Sequence, residues 1–235
     1  EKMGYSLEEV VCVAPVDVYA ESSFFQKLRE AETVLKRDSY DLALVGIKPP
    51  YPAEKYGYIV PEDSAESILK VKEFIEKPNK KTATKLLAQN ALWNCGVFCF
   101  KLGFLINILG SKGVPLIYKD MVAQYDQLPK ISFDYEVVEA LNSIVVVPYE
   151  GEWEDLGTWD ILSDKVGSFT IGRGYLCGES VNTHVINYMD MPVVGVGLSN
   201  LVVVANEYGI LISEKSLSSH LKEYLNKMDL ADDSI

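Results

Sequence analysis

Residues 10–47 read VVCVAPVDVYAESSFFQKLREAETVLKRDSYDLALVGI, and this stretch decides the fold class. Val10 to Ala14 is an uninterrupted apolar run stopped by Pro15, which reads as a buried strand needing neighbours on both faces. From about Ser22 to Arg37 the residues Phe24, Phe25, Leu28, Ala31, Val34 and Leu35 recur at helical spacing, with Ser22 or Ser23 placed to cap. Asp41 to Ile47 is a second apolar strand. Strand, helix, strand is a βαβ unit, so the chain is predicted to be α/β with a mostly parallel sheet. Upstream, Glu1 to Glu9 reads as the tail of a helix. So apolar a first strand implies that residues preceding Glu1 belong to the same domain.

Moving outward, Lys48 to Gly57 holds three prolines and cannot continue either element, so it is expected as an ordered loop over the sheet. Strands are predicted at Ile68 to Glu76, Trp93 to Phe100 and Ser143 to Pro148. Helices are predicted at Thr82 to Asn90, Leu102 to Leu109, Pro115 to Tyr125 and Asp134 to Leu141. After Gly167 the texture changes to short β-rich pieces separated by Gly, Asn, Asp and Pro, which suggests a few coils of a β-helix. A striped helix, Ser216 to Met228, and a frayed polar tail, Asp229 to Ile235, close the chain. The expected division is residues 1–166, α/β, and residues 167–235, β-rich.

Composition narrows the function. The chain has 235 residues, 22 Lys+Arg and 34 Asp+Glu, a net charge of −12 with no basic run, which argues against nucleic-acid binding. An apolar fraction of 48% excludes intrinsic disorder. No apolar run is long enough for a membrane span and no signal peptide opens the chain, so a soluble, cytoplasmic protein is expected. Cys12, Cys95, Cys99 and Cys177 form no CxxC pair, and neither a disulfide framework nor a zinc site is expected. With only His184 and His220 present, a catalytic metal would be a hard ion on carboxylates.

Several short motifs could carry chemistry. Gly195-Val196-Gly197 and Gly172-Arg173-Gly174 read as turns, because neither leads into a helix that could hold pyrophosphate. Asp17 ends the first strand, where open α/β sheets bind ligands, although a capping role explains it equally well. Glu76 and Lys77 end another strand before Pro78, and adjacent residues there point to opposite faces unless the chain twists. Asn94, inside Trp93-Asn94-Cys95-Gly96-Val97-Phe98, is an amide whose hydrogen-bonding sites need backbone or a polar ligand such as a sugar, and Gly96 permits close approach. Asp155, between Trp153 and Trp159, either caps the next helix or joins Asp17 as a Mg²⁺ site.

Taken in order, Pro15-Val16-Asp17, Tyr56-Gly57-Tyr58-Ile59, Phe74-Ile75-Glu76-Lys77-Pro78, Trp93 to Phe98, Phe133 to Glu139 and Trp153 to Trp159 resemble the sugar nucleotidyltransferases. The resemblance is nearest to bacterial mannose-1-phosphate guanylyltransferases, and Asn182 to Asn187 and Gly209 to Ser213 are similar to their C-terminal β region. It implies a Rossmann-like nucleotidyltransferase domain followed by a small β-helix-like unit. It also implies Asp17 and Asp155 as ligands of a catalytic Mg²⁺, Gly57, Glu76 and Asn94 as sugar contacts, and Lys77 on the sugar phosphate. The implied substrates are GTP and mannose 1-phosphate, joined by in-line attack to give GDP-mannose and pyrophosphate. The family's opening Gly-rich loop has no counterpart here, so a chain without it would lack most of the nucleotide site and be inactive alone. Val18 and Cys95 stand where close relatives usually have His and Ser. The alternatives are another sugar-1-phosphate nucleotidyltransferase, thymidylyl or uridylyl, or a non-catalytic interaction module of this fold. Pairing of the β-rich tail into a homodimer is a further expectation.

Overall fold

The computed structural model describes residues 4–227. They form two compact units, one of residues up to Val16 with Ala20–Trp153, the other of Asp17–Tyr19 with residues from Glu154 onward. In chain order the elements begin β1 (Val10–Val13), β2 (Val18–Ala20), α1 (Phe24–Arg37), β3 (Leu42–Ile47), β4 (Tyr58–Pro61) and β5 (Leu69–Ile75). They continue with α2 (Lys80–Leu87), β6 (Leu92–Lys101), α3 (Leu102–Ser111), α4 (Tyr118–Ala123), α5 (Phe133–Glu136) and β7 (Ile144–Tyr149).

In the first unit six strands form one sheet in the order β1-β6-β3-β7-β5-β4, and β4 also pairs with β6. Strands β6, β3, β7, β5 and β4 therefore close a circuit. Only β3 and β7 run parallel; the other ladders are antiparallel. The expected mostly parallel sheet is thus corrected to a mixed, mainly antiparallel one. The βαβ reading itself holds, since β1 and β3 are both antiparallel to β6 and hence parallel to each other. Between them sits β6, a strand from much later in the chain, and local periodicity carries no sign of such an insertion.

Helix α1 buries Phe24, Ala31, Val34 and Leu35, the stripe that its spacing dictates. All six residues of β3 are buried, as both-face coverage requires. One core cluster gathers Leu42, Leu44, Ile59, Phe74, Phe98, Phe100, Val138, Ile144 and Val146. The loop before β4 is ordered, as expected: the Tyr58 hydroxyl accepts from the Ala53 N–H and donates to the Ala53 carbonyl, each at 2.9 Å. The Tyr51 and Tyr56 rings lie 5.1 and 4.6 Å from the Trp93 ring.

Among the described residues strand β1 lies at the edge of this sheet, with Val11, Cys12 and Val13 exposed, the surface that residues preceding Glu1 were expected to cover. Two expectations are corrected in this unit. Residues 4–9 form no helix, and Glu1 to Met3 lie outside the described residues. Cys12 and Cys99 face each other across β1 and β6, with Cα atoms 4.1 Å apart, and form a disulfide. Their strands were each legible, but the antiparallel register that brings them together was not.

The second unit contains β8 (Trp153–Asp155), α6 (Trp159–Lys165), β9 (Thr170–Gly172), β10 (Gly174–Leu176), β11 (His184–Asn187), β12 (Val193–Gly195), β13 (Leu201–Asn206), β14 (Gly209–Glu214) and α7 (Leu221–Lys227). Strands β9, β11 and β13 lie side by side in parallel, as do β10 and β12. Val181 bridges Ser199 in the same sense, while β14 returns antiparallel on β13. Ile186, Val202 and Val204 form its core with Trp159, Ile171 and Leu211 packed against them. The expected terminal helix is divided into a 3-10 segment, Lys215–His220, and α7; Met228 and the tail Asp229 to Ile235 lie outside the described residues. Among the described residues no helix is long and apolar enough to cross a membrane.

Candidate functional site

The polar cluster of the first unit is built where β4, β5 and β6 meet. The N–H of Asn94 donates to the Gly57 carbonyl at 2.8 Å, pinning β6 to the residue before β4. Gly57 has to be glycine: a methyl group there would lie 2.5 Å from Glu76 Oε2, 2.9 Å from Phe74 Cζ and 3.4 Å from Asn94 Cβ. These three distances also show how closely Gly57, Glu76 and Asn94 are gathered. Across from Asn94, the β3–β6 register slips between Leu44 and Gly46, so that Gly46 faces Asn94. Gly96, at φ +76°, takes the left-handed conformation of this irregularity, the usual means of re-aiming a strand side chain.

Glu76 directly follows β5, with its side chain almost fully buried. Its own N–H donates to Glu139 Oε1 at 2.9 Å. Lys77 then turns into the left-handed region at φ 44°. That turn supplies the twist that adjacent strand residues need to meet, and Lys77 Nζ reaches Glu76 Oε1 at 2.7 Å. The Lys77 side chain is half exposed.

Asn94 is buried. Its Nδ2 donates to Asp134 Oδ1 at 2.8 Å, and its Oδ1 accepts from the Gly96 N–H at 3.1 Å. Asp134 stands in the first turn of α5, beside the Ser132 cap. Glu76 is thus flanked by Lys77, Asp134 and Glu139, and Lys77 by Glu76 and Asp134. Burial raises the pKa of Glu76; the bond from Lys77 opposes this, and the Asp134 and Glu139 charges add to it. Burial also raises the Asp134 carboxyl, against its own backbone N–H, Lys77 and Asn94. Lys77 is raised in turn, first by its bond to Glu76.

In the second unit, β2 and β8 pair as a two-stranded ribbon. The Leu156 N–H donates to the Asp17 carbonyl at 3.0 Å, which sets the Asp17 backbone beside the residue that follows Asp155. Asp155 Oδ1 accepts the Gly157 N–H at 2.9 Å, so the carboxylate closes a local turn and does not cap α6, whose N-cap is Thr158. Among the described residues no group of three or more His, Cys, Asp or Glu could hold a metal ion. Mg²⁺ needs only one or two protein carboxylates, because water and substrate phosphates complete its shell.

Of the residues singled out from sequence, Gly57, Glu76, Lys77 and Asn94 therefore gather in the first unit, and in the second the Asp17 carbonyl meets the N–H of Leu156, the residue after Asp155. Sequence reasoning missed Asp134 and Glu139. Both lie in the Phe133 to Glu139 motif, but no local spacing could bring Asp134 to an amide 40 positions earlier in the chain. Gly195-Val196-Gly197 and Gly172-Arg173-Gly174 are strand ends and turns, as read.

A family model described as "Nucleotidyl transferase" matches residues 3–168. The mannose-1-phosphate guanylyltransferase of Salmonella montevideo is 28% identical over 238 residues, 89% of this chain and 50% of the relative. Mannose-1-phosphate guanylyltransferase 2 of Escherichia coli O157:H7 is 27% identical over 250 residues, 94% and 51% of the two chains. The chain thus spans about half the length of these curated relatives. Among solved structures, one from Thermus thermophilus, described as a "mannose-1-phosphate geranyltransferase", superposes with a TM-score of 0.76 at 23% identity. That match covers 94% of this chain and 70% of the other and shows a shared fold.

Proposed function

This chain belongs to the nucleotidyl transferase family, and from that premise we propose that it carries the sugar-phosphate site of a mannose-1-phosphate guanylyltransferase. The observation that carries the reading is the cluster of Gly57, Glu76, Lys77 and Asn94: a cradle with space for no side chain, a carboxylate and an amide to read hydroxyls, and one half-exposed cation. Support for mannose and guanine, as against a sister specificity, comes from the names of the relatives.

In the proposed reaction a phosphate oxygen of mannose 1-phosphate attacks the α-phosphorus of GTP in line. A new P–O bond forms, the bond to the bridging oxygen breaks, and pyrophosphate leaves with that electron pair as GDP-mannose forms. The attacking oxygen is already ionised, so no general base is required. What the protein supplies is alignment of two anions that repel each other. Glu76 and the Asn94 amide hold sugar hydroxyls, Gly57 lets the Glu76 carboxylate close onto the backbone beside Asn94, and Lys77 exchanges Glu76 for the sugar's phosphate. Asp17 and Asp155 are the residues that would hold Mg²⁺. When bound, the ion would neutralise phosphate charge and orient the triphosphate. We also read the parallel ladders of the second unit as β-helix coils.

The test is calorimetric titration of the full chain with mannose 1-phosphate, glucose 1-phosphate and inorganic phosphate, beside an assay for GDP-mannose with GTP and Mg²⁺. Mannose 1-phosphate should bind best, and Lys77→Met should weaken it at least tenfold, on the order expected for a lost charge-assisted hydrogen bond, in a protein that still folds. A sugar phosphate that binds no better than inorganic phosphate would overturn the reading.

A further inference from the structure

We propose that Asp134 is a positioning residue of this site, one that fixes which end of the Asn94 amide faces the sugar. The inference rests on the sugar-site reading above and adds a residue to it. An asparagine amide is nearly symmetric in shape but opposite in polarity at its two ends, so its orientation is set by its hydrogen bonds. Here two contacts act together. The acceptor Asp134 Oδ1 lies 2.8 Å from Nδ2, and the donor Gly96 N–H lies 3.1 Å from Oδ1. Rotating the amide by half a turn would set oxygen against carboxylate and N–H against N–H. Both contacts would then be repulsive, inside a buried strand where water cannot relieve them. Among the described residues these are the amide's two partners, which leaves one N–H and one lone pair for a ligand. A hydroxyl that gives its one proton to the Glu76 carboxylate can only accept from the amide, so a donor and an acceptor in a fixed order match hydroxyls of one arrangement better than another, and that is the requirement for telling epimeric sugars apart.

The inference separates the acceptor role of Asp134 from its charge and from any structural role. Lys77 reaches Glu76, not Asp134, as its ion-pair partner, so removing Asp134 leaves the phosphate-binding cation in place. With Asp134→Ala the amide loses the contact that opposes its rotation. With Asp134→Asn an oxygen can still accept from Asn94 Nδ2 while the charge is gone.

The experiment titrates the wild-type full chain, Asp134→Ala and Asp134→Asn with mannose 1-phosphate, its epimer glucose 1-phosphate and inorganic phosphate, with a melting curve for each. We expect Asp134→Ala to reduce the preference for one epimer over the other by about tenfold, the scale of one hydrogen bond, with inorganic phosphate bound no more weakly than by wild type, since a nearby negative charge is lost. Asp134→Asn should restore the preference to within about threefold of wild type. Should Asp134→Ala fail to fold, the Asn variant still decides: a preference as wild type supports the acceptor role, and a lost preference overturns it. An Asp134→Ala protein that folds and discriminates as wild type also overturns the inference while leaving the sugar site standing. If wild type itself cannot tell either sugar phosphate from inorganic phosphate, the sugar-site reading fails and takes this inference with it.

Discussion

Replacing Gly57 by alanine adds one methyl group at the point where three site residues converge. Carbon atoms in contact settle about 3.5–4.0 Å apart, whereas the new methyl would stand 2.9 Å from Phe74 Cζ and 2.5 Å from Glu76 Oε2. Something has to move by nearly an ångström. Phe74 is only 8% exposed and packed within the main core cluster, so its ring cannot swing aside without opening that cluster. Glu76 is tied at one oxygen to Lys77, 2.7 Å away, and at its backbone to Glu139. Overpacking of this kind costs about 1–3 kcal/mol. At about 2–4 °C per kcal/mol for a chain of this size, the melting temperature should fall by about 2–12 °C. The gentler route, displacement of the Glu76 carboxylate, preserves the core and spoils the sugar site instead. Gly57→Ala should therefore show a small loss of stability with a large loss of mannose 1-phosphate affinity, or the reverse, but not neither. Differential scanning calorimetry and titration calorimetry on the same sample read both. A variant that melts within about a degree of wild type and binds sugar phosphate unchanged would refute the cradle argument.

Two further predictions concern ionisation and thiols. Burial lifts the folded-state pKa of Glu76 above its unfolded value, so between the two values the folded state binds more protons and stability falls as pH rises; the window opens near the unfolded value of about 4.3. Glu76→Gln should flatten that slope in melting temperature against pH while abolishing sugar-phosphate binding, and an unchanged slope would show that the carboxyl is not strained by its burial. Thiol counting under native, denaturing and reducing conditions should give one fast equivalent from Cys177, whose pKa is lowered first by the Gly197 N–H, then two on unfolding as Cys95 is released, and four after reduction. Cys95 is slow because burial pushes its thiol to about 12; four equivalents before reduction would disprove the Cys12–Cys99 bond.

How far the sequence alone carried this structure depended on range. Helix α1 and strand β3 were legible because their periodicities are local and unopposed. The direction of the sheet was not, since β6 enters between β1 and β3 from some fifty residues downstream, and the same event joined Cys12 to Cys99. β4 was hidden because Tyr58 to Pro61 follows a proline-rich loop and is too short for alternation to register. At the site, Glu76 and Lys77 were visible as an adjacent pair, but the left-handed turn at Lys77 that lets them meet is unusual for a lysine and follows from tertiary packing. Asp134 was invisible for the same reason as the disulfide: its partner is fixed by topology and not by spacing.

The charge balance of the cluster bears on what kind of anion it can take. Asp134 and Glu139 add negative charge beside the Glu76–Lys77 pair, so a bare anion entering here meets repulsion as well as attraction. It must also draw Lys77 away from Glu76, leaving a buried carboxylate without its cation, a costly outcome unless another donor arrives at once. Inorganic phosphate brings charge and few such donors. A sugar phosphate brings both, because its hydroxyls can donate to Glu76 as its phosphate takes over Lys77. On the proposed reading the excess of acid is therefore a selective device. The lysine is available to a phosphate only when the ligand also carries the hydroxyls that replace it, and the Asn94 amide, held by Asp134, decides which arrangement of hydroxyls qualifies.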